Sequence, residues 1–332
     1  NKPTLTDPLR TDKNEPQNRI VMTPMANDLS STAGEVTGRN TEHYKARAQA
    51  DVGLIIVEHS YIVPEGKMSV NQLGIHTDEL VPGLTRLAQS IREAGAKSAI
   101  QLTHAGANTT SAVCGCQPSG PSNIPVPGRE EEPRPLEKEE ISTLVVAYRQ
   151  AARRAREAGF DSIEIHGAHG FLLNEFVSPH TNRRSDEYGG SMENRLRFPL
   201  AVITAVRQQV GAGYPLLYRF GASDFLQNGL TLEEAQKIAP LLVAAGIDIL
   251  DISGGLCGSR PKDLKDVQGF FVPLAQSIKS VVDVPVIAVG GITDPVFANS
   301  VIVEEKVDLV AVGRALLKNP NWAREALKTL AG

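Results

Sequence analysis

Eight short runs of apolar, often β-branched residues recur along the chain and constrain its fold more than any other feature. They are Ile20–Met25, Val52–Glu58, Lys97–Leu102, Phe160–Ile165, Pro215–Phe220, Ile247–Ile252, Val284–Val289 and Asp308–Val312. Nearly every position in these runs is apolar, as in parallel strands that are buried on both faces. Because a strand and a helical pattern alternate about eight times, the sequence predicts an α/β fold, a closed (β/α)8 barrel rather than an open sheet.

Helical patterns fill the intervals between these runs. Apolar residues repeat at helical spacing over Leu84–Ile91, and Gly95 is a plausible stop. A second pattern covers Leu144–Ala155 and ends at Gly159. A third helix is predicted over Thr231–Ala245, since it opens on Thr-Leu-Glu-Glu, the sequence of a capping box.

One segment, Thr109–Glu140, interrupts this alternation of strands and helices. It is rich in Pro, Gly, Ser and Glu, and it predicts a long loop after the third strand, on the face that carries the site. Cys114 and Cys116 lie in it with one residue between them, which is not the usual spacing of a metal or redox pair. No linker divides the chain, so residues 1–332 are expected to form a single barrel domain.

Composition limits the classes of partner. The formal net charge is −4 and basic residues do not cluster, so nucleic acid is not an expected partner. No apolar stretch approaches the roughly 20 residues that span a bilayer, and no membrane association is expected. Three cysteines do not make a disulfide framework and indicate a reducing compartment, so a cytoplasmic location is expected.

The fourth run continues directly into a distinctive polar segment, His166–Arg195. His166 and His169 leave the carboxyl end of that strand three residues apart, at the edge where α/β barrels carry their chemistry. Two imidazoles side by side can donate hydrogen bonds to one oxygen or anion. Metal ligation is the second interpretation, because no cluster of carboxylates accompanies the pair.

The ends of the last two strands carry Gly290, Gly291, Gly313 and Arg314. Glycine lets backbone N–H groups approach an anion closely, and phosphate is commonly bound after strands seven and eight of such barrels. These residues therefore predict a phosphate site, although glycines can also serve only to turn the chain.

Two further strand residues suit a heterocycle. Gln101 offers a donor and an acceptor to a ring edge, and Arg219 supplies a fixed positive charge that could stabilise an anionic ring. His104 is interpreted as structural. Together with the phosphate site, Gln101 and Arg219 indicate a planar, phosphorylated, redox-active cofactor.

The motifs resemble those of the Old Yellow Enzyme family of flavoproteins over nearly the whole chain. The segments that carry the resemblance are Asn18–Met25, Val52–Glu58, Gln101–Gly106, His166–Arg195 and Val312–Pro320. His166 with His169, rather than His followed by Asn, resembles the bacterial branch that includes thermophilic-like ene-reductases and 2,4-dienoyl-CoA reductases.

The resemblance implies non-covalent FMN at the mouth of a TIM barrel, NADH or NADPH as the reductant and a small-molecule acceptor, and it allows a homo-oligomer. It implies hydride transfer to an electron-poor acceptor, such as an activated C=C, a nitro compound or a quinone, whose oxygen His166 and His169 hold. The cofactor-binding residues that it implies are Thr23, Pro24, Met25, Ala26, Tyr61, Gln101, His166, Arg219, Gly290, Gly291, Gly313 and Arg314.

Three positions depart from the family pattern. Phe171 stands where members usually carry a Tyr that donates a proton, Ala26 stands where many place Cys or Thr, and Tyr61 stands where a small residue is common. Tyr61 could supply the proton, pack against a substrate ring or a cationic amine, or be plain packing.

These departures leave other functions open. The alternatives are flavin-dependent amine oxidation, a flavin-binding protein of low turnover, and an aldolase-like barrel with a phosphosugar site. The last requires a Schiff-base Lys at a strand end, and none stands out.

Overall fold

The computed structural model describes residues 1–332 and contains ten β-strands. They are β1 (Ile20–Met22), β2 (Leu54–Tyr61), β3 (Lys97–Thr103), β4 (Ser119–Gly120), β5 (Arg134–Pro135), β6 (Ser162–Gly167), β7 (Leu216–Gly221), β8 (Ile249–Ser253), β9 (Val286–Ala288) and β10 (Leu309–Val312). Eight of the ten close into a parallel barrel in the order β1-β2-β3-β6-β7-β8-β9-β10, with β10 pairing back onto β1. The predicted (β/α)8 barrel is confirmed, and each of the eight apolar runs contains or overlaps one of its strands.

Helices connect the strands and form the outer layer. They are α1 (Gly38–Gln49), α2 (Val81–Glu93), α3 (Ser111–Cys114), α4 (Lys138–Ala158), α5 (Leu172–Val177), α6 (Met192–Val210), α7 (Leu232–Ala245), α8 (Val272–Lys279), α9 (Pro295–Val303), α10 (Arg314–Lys318) and α11 (Trp322–Ala331). Two short 3₁₀ turns, Pro64–Gly66 and Asp78–Leu80, complete the secondary structure. No helix combines the length and the apolar character needed to cross a membrane.

The three predicted helices form with the expected ends. The predicted capping box of α7 is present, with the Thr231 side chain accepting from the Glu234 N–H and the Glu234 side chain accepting in return. α4 ends on Gly159, whose φ of +96° is the left-handed conformation that glycine adopts readily at a helix end. The apolar stripe of α2 is fully buried against the barrel.

The segment between β3 and α4 is more ordered than the predicted loop. It contains α3 and the two-residue strands β4 and β5, which pair in parallel, and α4 already begins at Lys138. Val126 from this segment packs with Ala107 and Leu256 in a small cluster of its own, so the segment lies over the carboxyl end of the barrel. All three cysteines are free thiols.

Candidate active site

A cavity of about 640 Å³ opens at the carboxyl ends of the strands. Residues from the end of every barrel strand line it, which is where parallel barrels carry their sites. Its volume lies in the range of small-molecule and cofactor pockets. The predicted site residues that line it are Thr23, Pro24, Met25, Ala26, Gln101, His166, His169, Arg219, Gly290, Gly291, Gly313 and Arg314.

Tyr61 is the one predicted site residue that the structure does not bring to the cavity. Its ring stacks on His76 at a centroid distance of 4.7 Å, and it is buried beside the backbone of Gly34 and Gly74. The pairing of β2 with β3 shifts register between Val57 and Ser60, and such an irregularity re-aims the side chains that follow it. His59, not Tyr61, faces the cavity from this strand.

The two predicted imidazoles lie side by side. The rings of His166 and His169 meet edge to face, with centroids 5.2 Å apart. His166 Nδ1 accepts a hydrogen bond from the Ala168 N–H at 3.3 Å, so a neutral His166 carries its proton on Nε2. His169 Nε2 and Ser253 Oγ are 2.7 Å apart, which fixes the second ring from β8.

The loop that carries His169 is held by its backbone. The His169 N–H donates to Gly254 O at 3.1 Å, and its carbonyl accepts from Asn108 Nδ2 at 3.1 Å. His169 has a φ of +60°, a conformation that non-glycine residues rarely adopt and that clusters at functional sites. The surrounding hydrogen bonds therefore hold the second imidazole in a fixed and unusual position.

Both imidazoles are neutral at physiological pH. Burial, the neighbouring imidazoles and the Arg219 guanidinium lower the pKa of His166 well below its ordinary value. Burial, with Arg219 and His59, lowers the pKa of His169 in the same direction. Neutral imidazoles can donate hydrogen bonds to a polarised oxygen but are poor sources of a transferable proton.

Phe171 forms part of the same wall. Its ring packs edge to face on His166 and lies 5.6 Å from the His59 ring, and it is buried. The position next to the imidazole pair is therefore apolar, with no hydroxyl.

Arg219 faces the cavity from β7. Its Nη2 donates to Thr23 Oγ1 at 3.0 Å, while its Nε lies 3.7 Å from Asp251 Oδ2. Gln101 on β3 donates from Nε2 to Glu164 Oε2 at 3.0 Å. Both predicted heterocycle-facing side chains are thus held from below by buried carboxyl groups.

The glycines after β9 form a backbone cradle. Gly290 and Gly291 have φ of +123° and +62°, conformations open to glycine but not to ordinary residues. A Cβ on Gly290 would lie 2.8 Å from the Phe270 ring, and one on Gly313 would lie 3.1 Å from the Thr23 side chain. Arg314 is exposed at the start of α10, beside this cradle. A side chain at these positions would crowd Phe270 or Thr23, so the glycines present backbone to the cavity.

The structure adds lining residues that sequence analysis missed. The ones that it adds are Met68, Ser259, Arg260, Lys265, Asp266, Gln268, Phe270, Val289, Ile292, Thr293, Ala311, Ala315, Leu317 and Lys318, together with His59 and Ser253 at two strand ends. His59 and Ser253 could have been selected, because both are polar residues that end a strand. Arg260, Lys265 and Asp266 come from an irregular segment after β8, and Lys318 comes from the end of α10, so none of them carries such a signal.

Comparison with known proteins identifies the family. The sequence profile of the NADH:flavin oxidoreductase / NADH oxidase family matches residues 4–331. The chain belongs to that family. It is an oxidoreductase of the Old Yellow Enzyme type, whose cofactor is FMN and whose reductant is NADH or NADPH.

Two curated relatives are similar over most of this chain. An NADH oxidase of Thermoanaerobacter brockii is 44% identical over 315 residues, which cover 93% of this chain and 48% of that protein. An NADPH dehydrogenase of Geobacillus sp. (strain WCH70) is 43% identical, with 95% of this chain and 91% of that protein covered. The chain therefore spans about half of the first relative and nearly all of the second.

Solved structures share the fold closely. A 2-naphthoyl-CoA reductase in complex with 2-naphthoyl-CoA superposes with a TM-score of 0.94 at 27% identity, over 98% of this chain and 52% of that one. Morphinone reductase gives 0.86 at 29% identity, over 99% of this chain and 90% of that one. Histamine dehydrogenase from Rhizobium sp. 4-9 gives 0.87 at 26% identity, over 98% of this chain and 48% of that one.

Proposed function

We propose that this chain, as a single FMN-binding barrel domain over residues 1–332, reduces an electron-poor small molecule at the expense of NADH or NADPH. The candidate acceptors are an activated C=C bond, a nitro compound and a quinone. The observation that carries the proposal is the pair of neutral, hydrogen-bonding imidazoles, His166 and His169, in the wall of a cavity that also contains a glycine cradle and Arg219.

FMN fits the residues that line the cavity. Gly290, Gly291, Gly313 and Arg314 would hold its phosphate, because they offer backbone N–H groups and one exposed guanidinium. The ring system would contact the residues Thr23, Pro24, Met25, Ala26, Gln101, His166 and Arg219. When bound, FMN accepts a hydride from the nicotinamide and passes it to the acceptor.

His166 and His169 would hold the acceptor through its oxygen. The Nε2–H of His166 is a donor, since its Nδ1 is occupied by the Ala168 N–H. The Ser253 hydroxyl fixes the ring of His169 beside it, and the Gly254 carbonyl holds the His169 backbone. Donors that are already positioned lower the energy of a negative charge that develops on the oxygen, and they do so without reorganisation.

Phe171 biases the choice of acceptor. Reduction of a C=C bond adds one hydride and one proton, and a phenyl ring has no proton to give. The proton must come from water or from another side chain. We infer that acceptors that take their protons on oxygen or nitrogen, such as quinones and nitro compounds, are used at least as well as enones.

The test is a pair of anaerobic half-reactions. The purified protein with bound FMN is reduced by NADH or NADPH, and reoxidation is then followed with cyclohexenone, a quinone and a nitroaromatic compound. Reoxidation by at least one acceptor that slows about a hundredfold in His166→Ala would support the proposal, which is the loss typical of one transition-state donor. Reoxidation no faster than in buffer with every acceptor would contradict it and leave a flavin-binding protein of low turnover.

A second candidate is oxidation of an amine by FMN. Phe171 favours it, because removal of a hydride from an amine needs no proton donor at this position. One structural neighbour, histamine dehydrogenase, is named for the oxidation of an amine, and this likeness is consistent with the second candidate. Bleaching of the bound FMN by a methylated amine, without any nicotinamide, would support this candidate. No bleaching with a panel of amines would exclude it.

A further inference from the structure

Four polar side chains form a layer inside one side of the barrel, at the base of the cavity. Neighbouring strands pair Gln101 with Glu164 and Arg219 with Asp251, so the four groups come from β3, β6, β7 and β8. Gln101 and Arg219 line the cavity, while Glu164 and Asp251 are fully buried. The residues next to them along the strands are buried, and most are Ile, Leu or Phe.

If both carboxyl groups are ionised, several buried polar atoms in this layer have no hydrogen-bond partner. Glu164 Oε1, both carboxylate oxygens of Asp251 and Arg219 Nε are buried without a hydrogen-bond partner within the protein. A side-chain hydrogen bond with Asp251 is among the causes that raise the pKa of Glu164, and two ionised carboxylates have no proton with which to make it. One guanidinium would then face two negative charges in a buried layer, which is costly.

We propose that Glu164 carries a proton and donates it to Asp251, so that Asp251 is the single carboxylate opposite Arg219 and the layer is electrically neutral. The added proton gives Glu164 Oε1 and one Asp251 oxygen a partner. Glu164 Oε2 still accepts from Gln101, at 3.0 Å. Glu164 and Asp251 are then positioning residues, which act on the cavity through Gln101 and Arg219.

The electrostatic surroundings agree with this arrangement. Burial and the Asp251 carboxylate raise the pKa of Glu164 well above its ordinary value, while Arg219 and Gln101 act in the opposite direction. These three side chains, Gln101 on β3, Arg219 on β7 and Asp251 on β8, are the groups that face Glu164. A carboxylic acid that is kept neutral next to a paired carboxylate is the expected outcome of two acids at one buried site.

The consequence for the cavity is a fixed charge. Arg219 remains a cation with one counter-ion, and Gln101 keeps its amide oriented because its Nε2–H is committed to Glu164. This part of the inference rests on the proposed function, since the ring that Gln101 and Arg219 would face is FMN. The protonation of Glu164 does not depend on FMN.

The first test is infrared difference spectroscopy on the apoprotein at pH 8. A protonated carboxylic acid gives a carbonyl stretch that shifts in D2O. We expect Glu164→Gln to remove one such band. Glu175→Gln is the matched control, because Glu175 is a second buried acid whose pKa burial raises, and it is held elsewhere by the Ala107 N–H. The control should leave the Glu164 band in place.

The infrared experiment also uses a second variant, Asp251→Asn. Without the Asp251 carboxylate, Glu164 becomes the only counter-ion for Arg219, so its band should disappear as it ionises. The carboxyl group that carries the proton is identified by isotope labelling: carbon-13-labelled glutamate should lower the frequency of this band, and carbon-13-labelled aspartate should leave it unchanged. A band that aspartate labelling shifts would place the proton on Asp251 and overturn the proposal. A band that neither variant moves would overturn it as well.

The second test is the midpoint potential of bound FMN. A neutral layer stays neutral in Glu164→Gln and in Asp251→Asn, so neither single variant should shift the potential appreciably. The double variant leaves Arg219 unbalanced, and the potential should rise, because a cation favours the reduced, more negative ring. If both carboxyls were ionised, Glu164→Gln alone would raise the potential, which would contradict the proposal.

The two tests separate this inference from the proposed function. Failure of the protein to bind FMN would end the proposed function and leave the infrared result intact. Loss of the Glu164 band in the expected variants, with FMN turnover absent, would support the buried proton alone.

Discussion

The ring of Phe171 packs edge to face on His166, with centroids 4.8 Å apart and an interplanar angle of 71°. This contact puts a phenyl group, buried and without a hydroxyl, beside one of the two imidazoles that would hold the acceptor. The donors are thus in place, but this position supplies no proton.

Phe171→Tyr tests whether a missing proton limits the reduction of C=C bonds. A tyrosine hydroxyl at this position could donate to the substrate carbon, and a positioned acid typically contributes about a hundredfold or more. We expect reoxidation of the reduced protein by cyclohexenone to accelerate about a hundredfold, with little change for a quinone. Stopped-flow absorbance measures both rates.

Phe171→Leu is the control for that change, because it removes the ring without adding a hydroxyl. Similar rates with cyclohexenone in the Tyr and Leu variants would show that packing, rather than the proton, limits the reaction.

Ser253→Ala tests whether the hydrogen bond between Ser253 and the His169 ring contributes to the reaction. The Ser253 hydroxyl lies 2.7 Å from His169 Nε2, and losing one such hydrogen bond costs about 1 kcal/mol. We expect the reoxidation step to slow about fivefold, because a loss of about 1 kcal/mol in the transition state corresponds to that change in rate. Ser259→Ala is the comparison, since Ser259 also lines the cavity but is exposed at its rim. Equal rates in the two variants would argue against a role for Ser253.

Gly290→Ala tests the backbone cradle. A Cβ there would lie 2.8 Å from the Phe270 ring, and the φ of +123° is strained for any residue with a side chain. We expect about 1–3 kcal/mol of lost stability and weaker retention of FMN. Gly213→Ala is the matched control, because a Cβ at that site meets nothing within 4 Å. Urea unfolding and fluorescence titration with FMN give the two quantities, and equal values for both variants would refute the cradle.

His59→Asn tests the acid sensitivity of the cavity wall. Burial lowers the pKa of His59 from its ordinary 6.5 to about 4, and the Arg219 charge acts in the same direction, against Asp28. As the pH falls below 6.5 the unfolded chain takes up a proton that the folded chain refuses until about pH 4, so stability is lost over this window.

From pH 7 to pH 5 this single group should cost the native protein about 2 kcal/mol. The His59→Asn variant lacks that loss, so the free energy of unfolding of the two proteins should converge as the pH falls. A constant difference between them at pH 7 and pH 5 would show that His59 does not titrate in this way.

The barrel could be predicted from the sequence because its strands are buried on both faces. Such strands have nearly continuous apolar runs, and these runs are visible without knowing which strand pairs with which. Helix ends followed from local signals such as the capping box at Thr231 and the glycine at Gly159. The segment 109–140 was harder, because its short strands β4 and β5 are separated by residues 121–133 and carry no periodic pattern.

The candidate site was only partly predictable. The predicted strand-end residues meet at the cavity because parallel strands end at one edge of the barrel. The turning of Tyr61 away from the cavity could not be foreseen, since it depends on a register shift in β2. Glu164 and Asp251 were missed because each lies inside an apolar run, and their meeting with Arg219 depends on strand register.

The most direct measurement of the central claim is anaerobic absorption spectroscopy of the protein after incubation with FMN and gel filtration. The account predicts that FMN co-elutes with the protein, that NADH or NADPH bleaches it, and that an electron-poor acceptor restores the oxidised spectrum. A protein that leaves the column colourless, or whose bound FMN neither nicotinamide reduces, would contradict the account.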